Sequence, residues 1–276
     1  MSKAVCPVCS HHCNLEEGQL GRCRGRRNSG GTIVSENYGK LTALALDPIE
    51  KKPLYHFMPG SMILSVGSYG CNMACPFCQN HSIAAVGEED CGRLYAMSPE
   101  EVCQLALDYR ERGNVGLAFT YNEALVGYEF VRDTARLVRQ AGMVNVLVTN
   151  GNFTLPVLEE VLPCIDAMNI DLKAFRPELY RQLGGDLDMV KDFIEKACRS
   201  SHVEITTLIV PGFNDGPEDM EEEAAWIASL DPAIPLHITR YFPRYKMRKP
   251  ATDVSLIMEL CGIAADHLTY VYPGNI

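Results

Sequence analysis

The sequence predicts an α/β fold in which parallel strands are covered by helices, and three observations carry that prediction. Apolar runs of strand length recur at residues 62–66, 115–121, 143–149, 167–172, 203–210, 234–239 and 268–272. Between most of them lie segments with helical periodicity and recognisable caps. The runs lack the in-out alternation of a half-solvated sheet, so they read as strands buried on both faces, as in repeated β-α units. A doubly wound sheet and a barrel both fit this pattern.

From the N-terminus, Cys6, Cys9, Cys13 and Cys23 come first, at C-x2-C-x3-C-x9-C spacing, with His11 and His12 between them. The segment has too few large apolar residues to fold alone, so a bound metal is the expected source of order. Four thiolates satisfy tetrahedral zinc without either histidine, and they equally suit a second, fully ligated iron–sulfur cluster; zinc is the preferred reading. Thr32–Ser35 and Leu41–Leu46, separated by Asn37-Tyr38-Gly39-Lys40, read as two short strands joined by a turn. Prolines keep Asp47–Phe57 extended or irregular. Residues 1–59 are therefore expected to form a cysteine-rich module with a lead-in hairpin, and 60–276 the main domain.

The helices follow from their own signals. Ser98-Pro99-Glu100-Glu101 is a capping box with proline at the first helical position, and Val102, Leu105, Ala106 and Tyr109 mark one face. Ala124, Tyr128, Val131, Ala135 and Val138 mark the next helix, with Gly142 as its stop. Pro217 opens a helix whose expected buried face is Met220, Ala224, Ile227 and Leu230, leaving Glu221, Glu222 and Glu223 partly to solvent.

The chemistry is concentrated after the first apolar run, in Cys71-Asn72-Met73-Ala74-Cys75-Pro76-Phe77-Cys78. Three thiolates in so short a loop hold three irons of a cubane cluster and leave the fourth iron without a protein ligand. A cluster that does chemistry, rather than only carrying electrons, needs such an open corner. In parallel α/β folds functional groups gather at the C-terminal ends of strands. Four ends are polar here: the one entering Cys71, then Thr120–Glu123, Thr149-Asn150 and Asp171–Lys173. Each alone reads equally well as a cap or a solvated end; together they bring Glu123, Asn150, Asp171 and Lys173 to the face that carries the cluster. His56 is a further candidate to approach it, although a lone histidine beside aromatics is more often structural.

Composition narrows the function classes. The chain has 276 residues, 47% hydrophobic and 22% charged, enough for one large α/β domain or a barrel with a small appendage. A formal net charge of −10 without a Lys/Arg-rich block argues against broad nucleic-acid or anionic-membrane binding, while leaving room for a local basic pocket. No apolar run approaches the roughly 20 residues of a membrane helix, and the first residues lack the apolar core of an export signal. A cytoplasmic protein is expected. Of the twelve cysteines, Cys91, Cys103, Cys164, Cys198 and Cys261 are scattered and read as free thiols.

The C-x3-C-x2-C loop, with Phe77 before its last cysteine, resembles the radical SAM superfamily. That resemblance implies a partial (β/α)6 barrel, TIM-barrel-like, and a [4Fe-4S] cluster whose open iron chelates the amino and carboxylate groups of S-adenosylmethionine. Asp171-Leu172-Lys173, Thr149-Asn150-Gly151 and Val210-Pro211-Gly212-Phe213-Asn214-Asp215 resemble the pyruvate formate-lyase activating enzyme group. The N-terminal cysteines, Asp47–Phe57, Cys78-Gln79-Asn80, Thr120–Glu123 and Val271–Asn275 resemble the radical SAM member of the AmmeMemoRadiSam system. The resemblance implies that Cys71, Cys75 and Cys78 ligate iron and that Phe77 contacts the adenine. It also implies that Glu123 meets the methionine ammonium, that Asp171 and Lys173 meet polar parts of the cofactor, and that Thr149 and Asn150 lie along the same groove. Related sequences place a cofactor-binding histidine where this chain has Phe242, so His237 is considered as a substitute, and Tyr241 and Arg244 as substrate-pocket residues. The expected activity is reductive cleavage of S-adenosylmethionine to a 5′-deoxyadenosyl radical that takes hydrogen from a substrate. A flavodoxin or ferredoxin is the expected electron donor, and a protein or peptide, as for a glycyl-radical activase, the expected substrate. The alternatives are a small-molecule substrate or a non-catalytic zinc scaffold.

Overall fold

The structure, a computed structural model, describes residues 2–276. Its main sheet has eight strands. β1 (Ala43–Pro48) is antiparallel to β2 (Met62–Gly67), and from β2 onward every neighbour is parallel. β3 (Asn114–Phe119), β4 (Val144–Thr149), β5 (Ala167–Asp171), β6 (His202–Ile209), β7 (Leu236–Arg240) and β8 (Val271–Gly274) follow in chain order. A doubly wound sheet reverses its strand order at a switch point. This order never reverses, so right-handed crossovers put all the helices on one outer side and the sheet curls into a barrel wall. β1 and β8 do not pair with each other, so the barrel is partial.

The covering helices are α1 (Pro99–Asp108), α2 (Tyr128–Gln140), α3 (Leu155–Val161), α4 (Pro177–Leu183), α5 (Leu187–Ala197), α6 (Pro217–Leu230) and α7 (Val254–Ala265). The capping box of α1 is complete: Glu101 N–H donates to Ser98 Oγ at 3.2 Å, and Ser98 N–H to the Glu101 carboxylate at 2.7 Å. The buried residues of the helices and the outward faces of the strands form one large apolar core. One expectation for α6 fails. Glu223 is buried and accepts from Thr207 Oγ1, and burial lifts its pKa to about 8. It faces β6 because its position lies three and four residues from Met220 and Ile227, on the inward stripe.

The N-terminal segment is built of very short pairs, Ala4–Val5 with Asn14–Leu15 and Arg26–Ser29 with Thr32–Ser35. The expected hairpin between 32–35 and 41–46 does not form. Thr32–Ser35 pairs backwards with Arg26–Ser29, around a turn whose glycines both have positive φ, and Ala43–Pro48 joins the main sheet. Residues 43–59 thus belong to the barrel, and the lead-in is not part of a separate unit.

Asp47–Phe57 forms the floor at the N-terminal end of the barrel. Ile49 and Leu54, fully buried, pack with the inward-facing Ile63, Ala118, Val146 and Ala167. Glu204, at the start of β6, has no exposed side-chain surface and accepts four hydrogen bonds. Tyr55 N–H and His56 N–H donate at 3.0 and 2.8 Å, and Nε2 of His202 and of His237 lie at 2.9 and 2.7 Å. Burial alone would raise its pKa, but the two histidines and the two amides outweigh it and bring it down to about 2. A depressed carboxyl stabilises the fold above its unfolded value near 4.5 and loses that contribution as pH falls toward 2. Glu204→Gln is therefore expected to lower stability at neutral pH by about 2–4 kcal/mol, with the gap closing below about pH 4.5. Urea unfolding at a series of pH values measures it; a pH-independent difference would exclude the carboxylate as the cause.

Candidate functional site

The chain leaves β2 through Ser68, Tyr69 and Gly70 and enters the cysteine loop. Asn122, just beyond β3, holds this approach: its Oδ1 accepts from Ser68 N–H at 2.9 Å, and its Nδ2 donates to the carbonyls of Tyr69 and Gly70 at 3.2 and 3.1 Å. Cys71 N–H donates to the Cys23 carbonyl at 3.2 Å. Gly70 has a φ of 89°, and a Cβ there would stand 2.5 Å from the Cys23 oxygen, so a larger residue would separate the loop from the N-terminal segment. Further along, Asn72 Nδ2 donates to Asn152 O at 2.8 Å, its carbonyl meets His11 Nε2 at 2.7 Å, and Ala74 N–H donates to Leu183 O at 2.8 Å. Four segments distant in sequence thus fix the loop.

Cys71, Cys75 and Cys78 stand between two cavities and line both. Burial raises all three thiol pKa values, Cys75 to about 11, and the Lys173 ammonium opposes the rise in each. Met73 N–H and Asn150 Nδ2 point at Cys71 Sγ at 3.4 and 3.8 Å, as N–H donors do around a sulfur-rich cluster. Three thiols on one loop, without a histidine or carboxylate completing the set, suit a cubane with one iron left open.

The inner cavity is a cleft of about 990 Å³ at the C-terminal ends of β2 to β7. Phe77, Glu123, Thr149, Asn150, Asp171 and Lys173 all line it, together with the three cysteines. Glu123 is buried and bound on both oxygens: Oε1 accepts from Thr149 Oγ1 at 2.8 Å and Leu125 N–H at 3.2 Å, and Oε2 from Asn150 N–H at 2.8 Å. Burial outweighs these donors and raises its pKa to about 7. Across the cleft Lys173 Nζ lies 3.2 Å from Asp171 Oδ2. Burial would lower the ammonium's pKa, but Asp171 and the Cys75 thiol raise it on balance, so it keeps its charge. The Val210–Asp215 motif is structural support: Asn214 Nδ2 donates to Lys173 O and Leu208 O, tying the end of β5 to β6, and Phe213 meets the ring of Phe77 at 6.0 Å. A buried acid and a partly buried cation on one cleft, with an aromatic between the cysteines, suit a zwitterionic ligand with a flat base.

Cys6, Cys9, Cys13 and Cys23 come together at the barrel's edge. Burial pushes Cys9 up to about 12, with the Cys23, Cys6 and Cys13 thiols adding to the rise, and Cys23 up to about 11, with Cys6 and Cys13 adding. Among the described residues no set of three or more His, Cys, Asp or Glu side chains stands in a preformed metal-holding arrangement. Both cysteine groups offer the thiol donors that a metal or an iron–sulfur cluster takes. Among the described residues no disulfide forms; of the scattered cysteines, Cys91, Cys103 and Cys261 are buried and Cys164 and Cys198 are partly buried.

Two expectations for histidines are corrected. His56 lies on the barrel floor, its Nε2 2.7 Å from Tyr272 Oη, at the end opposite the cysteine loop. His237 is buried below the cleft, and its Nε2 is engaged by Glu204. Neither reaches the cleft lining; Thr239, two residues on from His237, does. Tyr241 is buried with its hydroxyl unpartnered, Phe242 and Arg244 are exposed, and none of the three lines the cleft. Tyr121 was missed. It lines the cleft with a φ of 73°, strained for a non-glycine residue, and its hydroxyl donates to Asp47 Oδ2 at 2.7 Å, where Lys52 Nζ also binds at 2.9 Å. The signal was an aromatic at a polar strand end, but its partner lies 74 residues earlier.

Comparison with known proteins agrees with this geometry. Residues 65–227 match the model of the radical SAM superfamily. The whole chain aligns at 36% identity with 82% of an uncharacterised protein of Methanocaldococcus jannaschii. About half of it, 53%, aligns at 29% identity with 60% of the pyruvate formate-lyase 1-activating enzyme of Escherichia coli. Among solved structures, a domain of pyruvate-formate lyase-activating enzyme from Bacteroides vulgatus is similar over 58% of this chain and 99% of its own, with 21% identity and a TM-score of 0.51.

Proposed function

Because the chain belongs to the radical SAM superfamily, we propose that its cleft binds S-adenosylmethionine against a [4Fe-4S] cluster held by Cys71, Cys75 and Cys78. The observation that carries this reading is the set of three thiols, one buried carboxylate and one partly buried ammonium lining a single cleft. When bound, cluster and cofactor together supply a 5′-deoxyadenosyl radical that abstracts hydrogen from the substrate. The protein's own part is placement and exclusion of water. Glu123 takes the methionine ammonium, Asp171 and Lys173 take polar groups of the cofactor, Phe77 packs on the adenine, and Thr149 and Asn150 hold Glu123 in position.

The proposed substrate is a protein or peptide, as for a glycyl-radical activase. Support comes from the 29% identity with the Escherichia coli activating enzyme, which covers only 60% of that enzyme's length. The N-terminal cysteines and the Asp47–Phe57 segment favour closer kinship with the radical SAM member of the AmmeMemoRadiSam system. A flavodoxin or ferredoxin is the proposed electron source. Anaerobic reconstitution with iron and sulfide, followed by a reductive cleavage assay, tests the core reading. Protein that carries zinc alone and cleaves nothing would refute it. Deuterium transferred into 5′-deoxyadenosine from a labelled metabolite would replace the protein substrate by a small molecule.

Cys6, Cys9, Cys13 and Cys23 are proposed to hold a closed structural zinc. Their segment clamps the catalytic loop through Cys23 and His11, so Cys9→Ser is expected to lose about one zinc per chain and to open residues 2–30 to limited proteolysis. Metal analysis and protease mapping measure this. An intact segment with no bound metal in the wild type would rule zinc out.

A further inference from the structure

The outer of the two cavities that share the three thiols, about 700 Å³, is rimmed by Arg22, Arg24 and Lys246. Residues 240–249, Arg-Tyr-Phe-Pro-Arg-Tyr-Lys-Met-Arg-Lys, carry five cations, and no acid occurs between Asp231 and Asp253. This loop lies against the cysteine loop: Lys246 N–H donates to Pro76 O at 2.9 Å, and Tyr245 stacks on His81 at 4.5 Å. Lys249 Nζ donates to Pro211 O, which anchors its far end. Arg22, Arg24, Arg244, Lys246, Arg248 and Lys249 are all exposed, and among the described residues none of them makes an ion pair.

A chain of formal charge −10 that leaves three cations unpaired at one mouth, and three more on the loop that carries Lys246, has a strongly polarised surface. The same thiols line this cavity, while Glu123, Asp171 and Lys173 line only the other one. Aromatic residues stand among the cations, with Tyr245 under Lys246 and Phe242 under Arg240, which gives the face apolar contact area as well as charge. The basic residues come from two segments more than 200 residues apart, and the second, 240–249, is a cation-rich stretch that the net charge of the whole chain conceals.

From this we infer that the Arg22–Arg24–Lys246 face is the docking surface of a small acidic one-electron carrier protein. The inference rests on the proposed cluster at Cys71, Cys75 and Cys78, and it adds where and by what charge the donor is recognised. The carrier gives up one electron, the enzyme takes up that electron, and no atom is transferred. Charge on this rim sets the encounter rate and orientation, while the rest of the acidic surface repels a carrier arriving elsewhere.

The test uses reconstituted holoenzyme with an acidic flavodoxin and an acidic ferredoxin as probes. Binding is measured by calorimetry at low and high salt for wild type, Arg22→Glu, Lys246→Glu, the double variant, and Arg112→Glu, an exposed control at the opposite end of the barrel. Wild-type binding of at least one carrier that weakens steeply with salt, and a loss of about tenfold or more in the double variant but not the control, is the expected result. Cleavage driven by dithionite should be unchanged in every variant. Equal affinity in wild type and double variant, or no salt-sensitive binding of either carrier, overturns the docking surface. A polyglutamate peptide that binds as tightly as the carriers reassigns the face to an anionic chain and overturns it too. Wild-type enzyme that binds a carrier but cleaves nothing with dithionite fails the underlying functional reading instead.

Discussion

Replacing Cys75 with alanine is expected to abolish reductive cleavage of S-adenosylmethionine, a drop of at least about a thousandfold. Cys75 lies in the middle of the loop and lines both cavities, and no other cysteine lies within that loop besides Cys71 and Cys78. With two thiols left, the loop offers no third anchor for a cubane. Iron and sulfide content should fall with activity, along with the visible absorbance of the cluster. Cys164→Ser, at a partly exposed thiol beside α3, is the matched control and should keep all three. Cleavage persisting at wild-type rate in the Cys75→Ala protein would remove the basis of the assignment. Because the loop is also pinned through Cys71 N–H, Asn72 and Ala74, the variant should remain folded, which circular dichroism can verify.

Glu123→Gln should have the second largest effect, on affinity for the cofactor. Its carboxyl is buried with a pKa near 7, while the ligand's ammonium requires the ionised form. Below about pH 7 the carboxyl must release its proton as the ligand binds, so wild-type affinity should rise between pH 6 and pH 8. Glutamine has no proton to release and no charge to offer. It also turns an amide donor toward one of the donors, from Thr149, Asn150 and Leu125, that the carboxylate now accepts. The expected loss is about 10- to 100-fold at pH 8, with a flat profile in the variant. Calorimetry in buffers of different ionisation enthalpy measures both affinity and proton release. Parallel pH profiles for wild type and variant would remove Glu123 from ammonium binding.

The parts of the site legible in the sequence are those that depend on local order. The cysteine spacing and the polar strand ends name their own places, because a parallel barrel gathers the C-terminal ends of its strands on one face. Glu123, Asn150, Asp171 and Lys173 needed nothing further to be brought together. The barrel itself was not separable from a doubly wound sheet by periodicity, since strand order is a property of pairing. What escaped was fixed by distant partners. Thr32–Ser35 chose the strand before it rather than the one after. Glu223 looks like one of three solvated acids until Thr207, 16 residues earlier, is seen across from it. The sequence leaves His56 free to approach the cluster and His237 free to stand in for a cofactor-binding histidine, because Glu204, 148 residues from His56, is not visible there as the partner of the His56 amide and the His237 ring.

The floor built by Asp47–Phe57 carries a kinetic consequence. Ile49 and Leu54 stopper the N-terminal end of the barrel, and Tyr121 is tethered down to Asp47, so nothing passes through the cleft to the far side. On the proposed function, cofactor and substrate then share the approaches at the C-terminal ends of the strands. A substrate seated above the cofactor would follow it in and precede it out, so the stopper sets an expected order of binding: first in, last out.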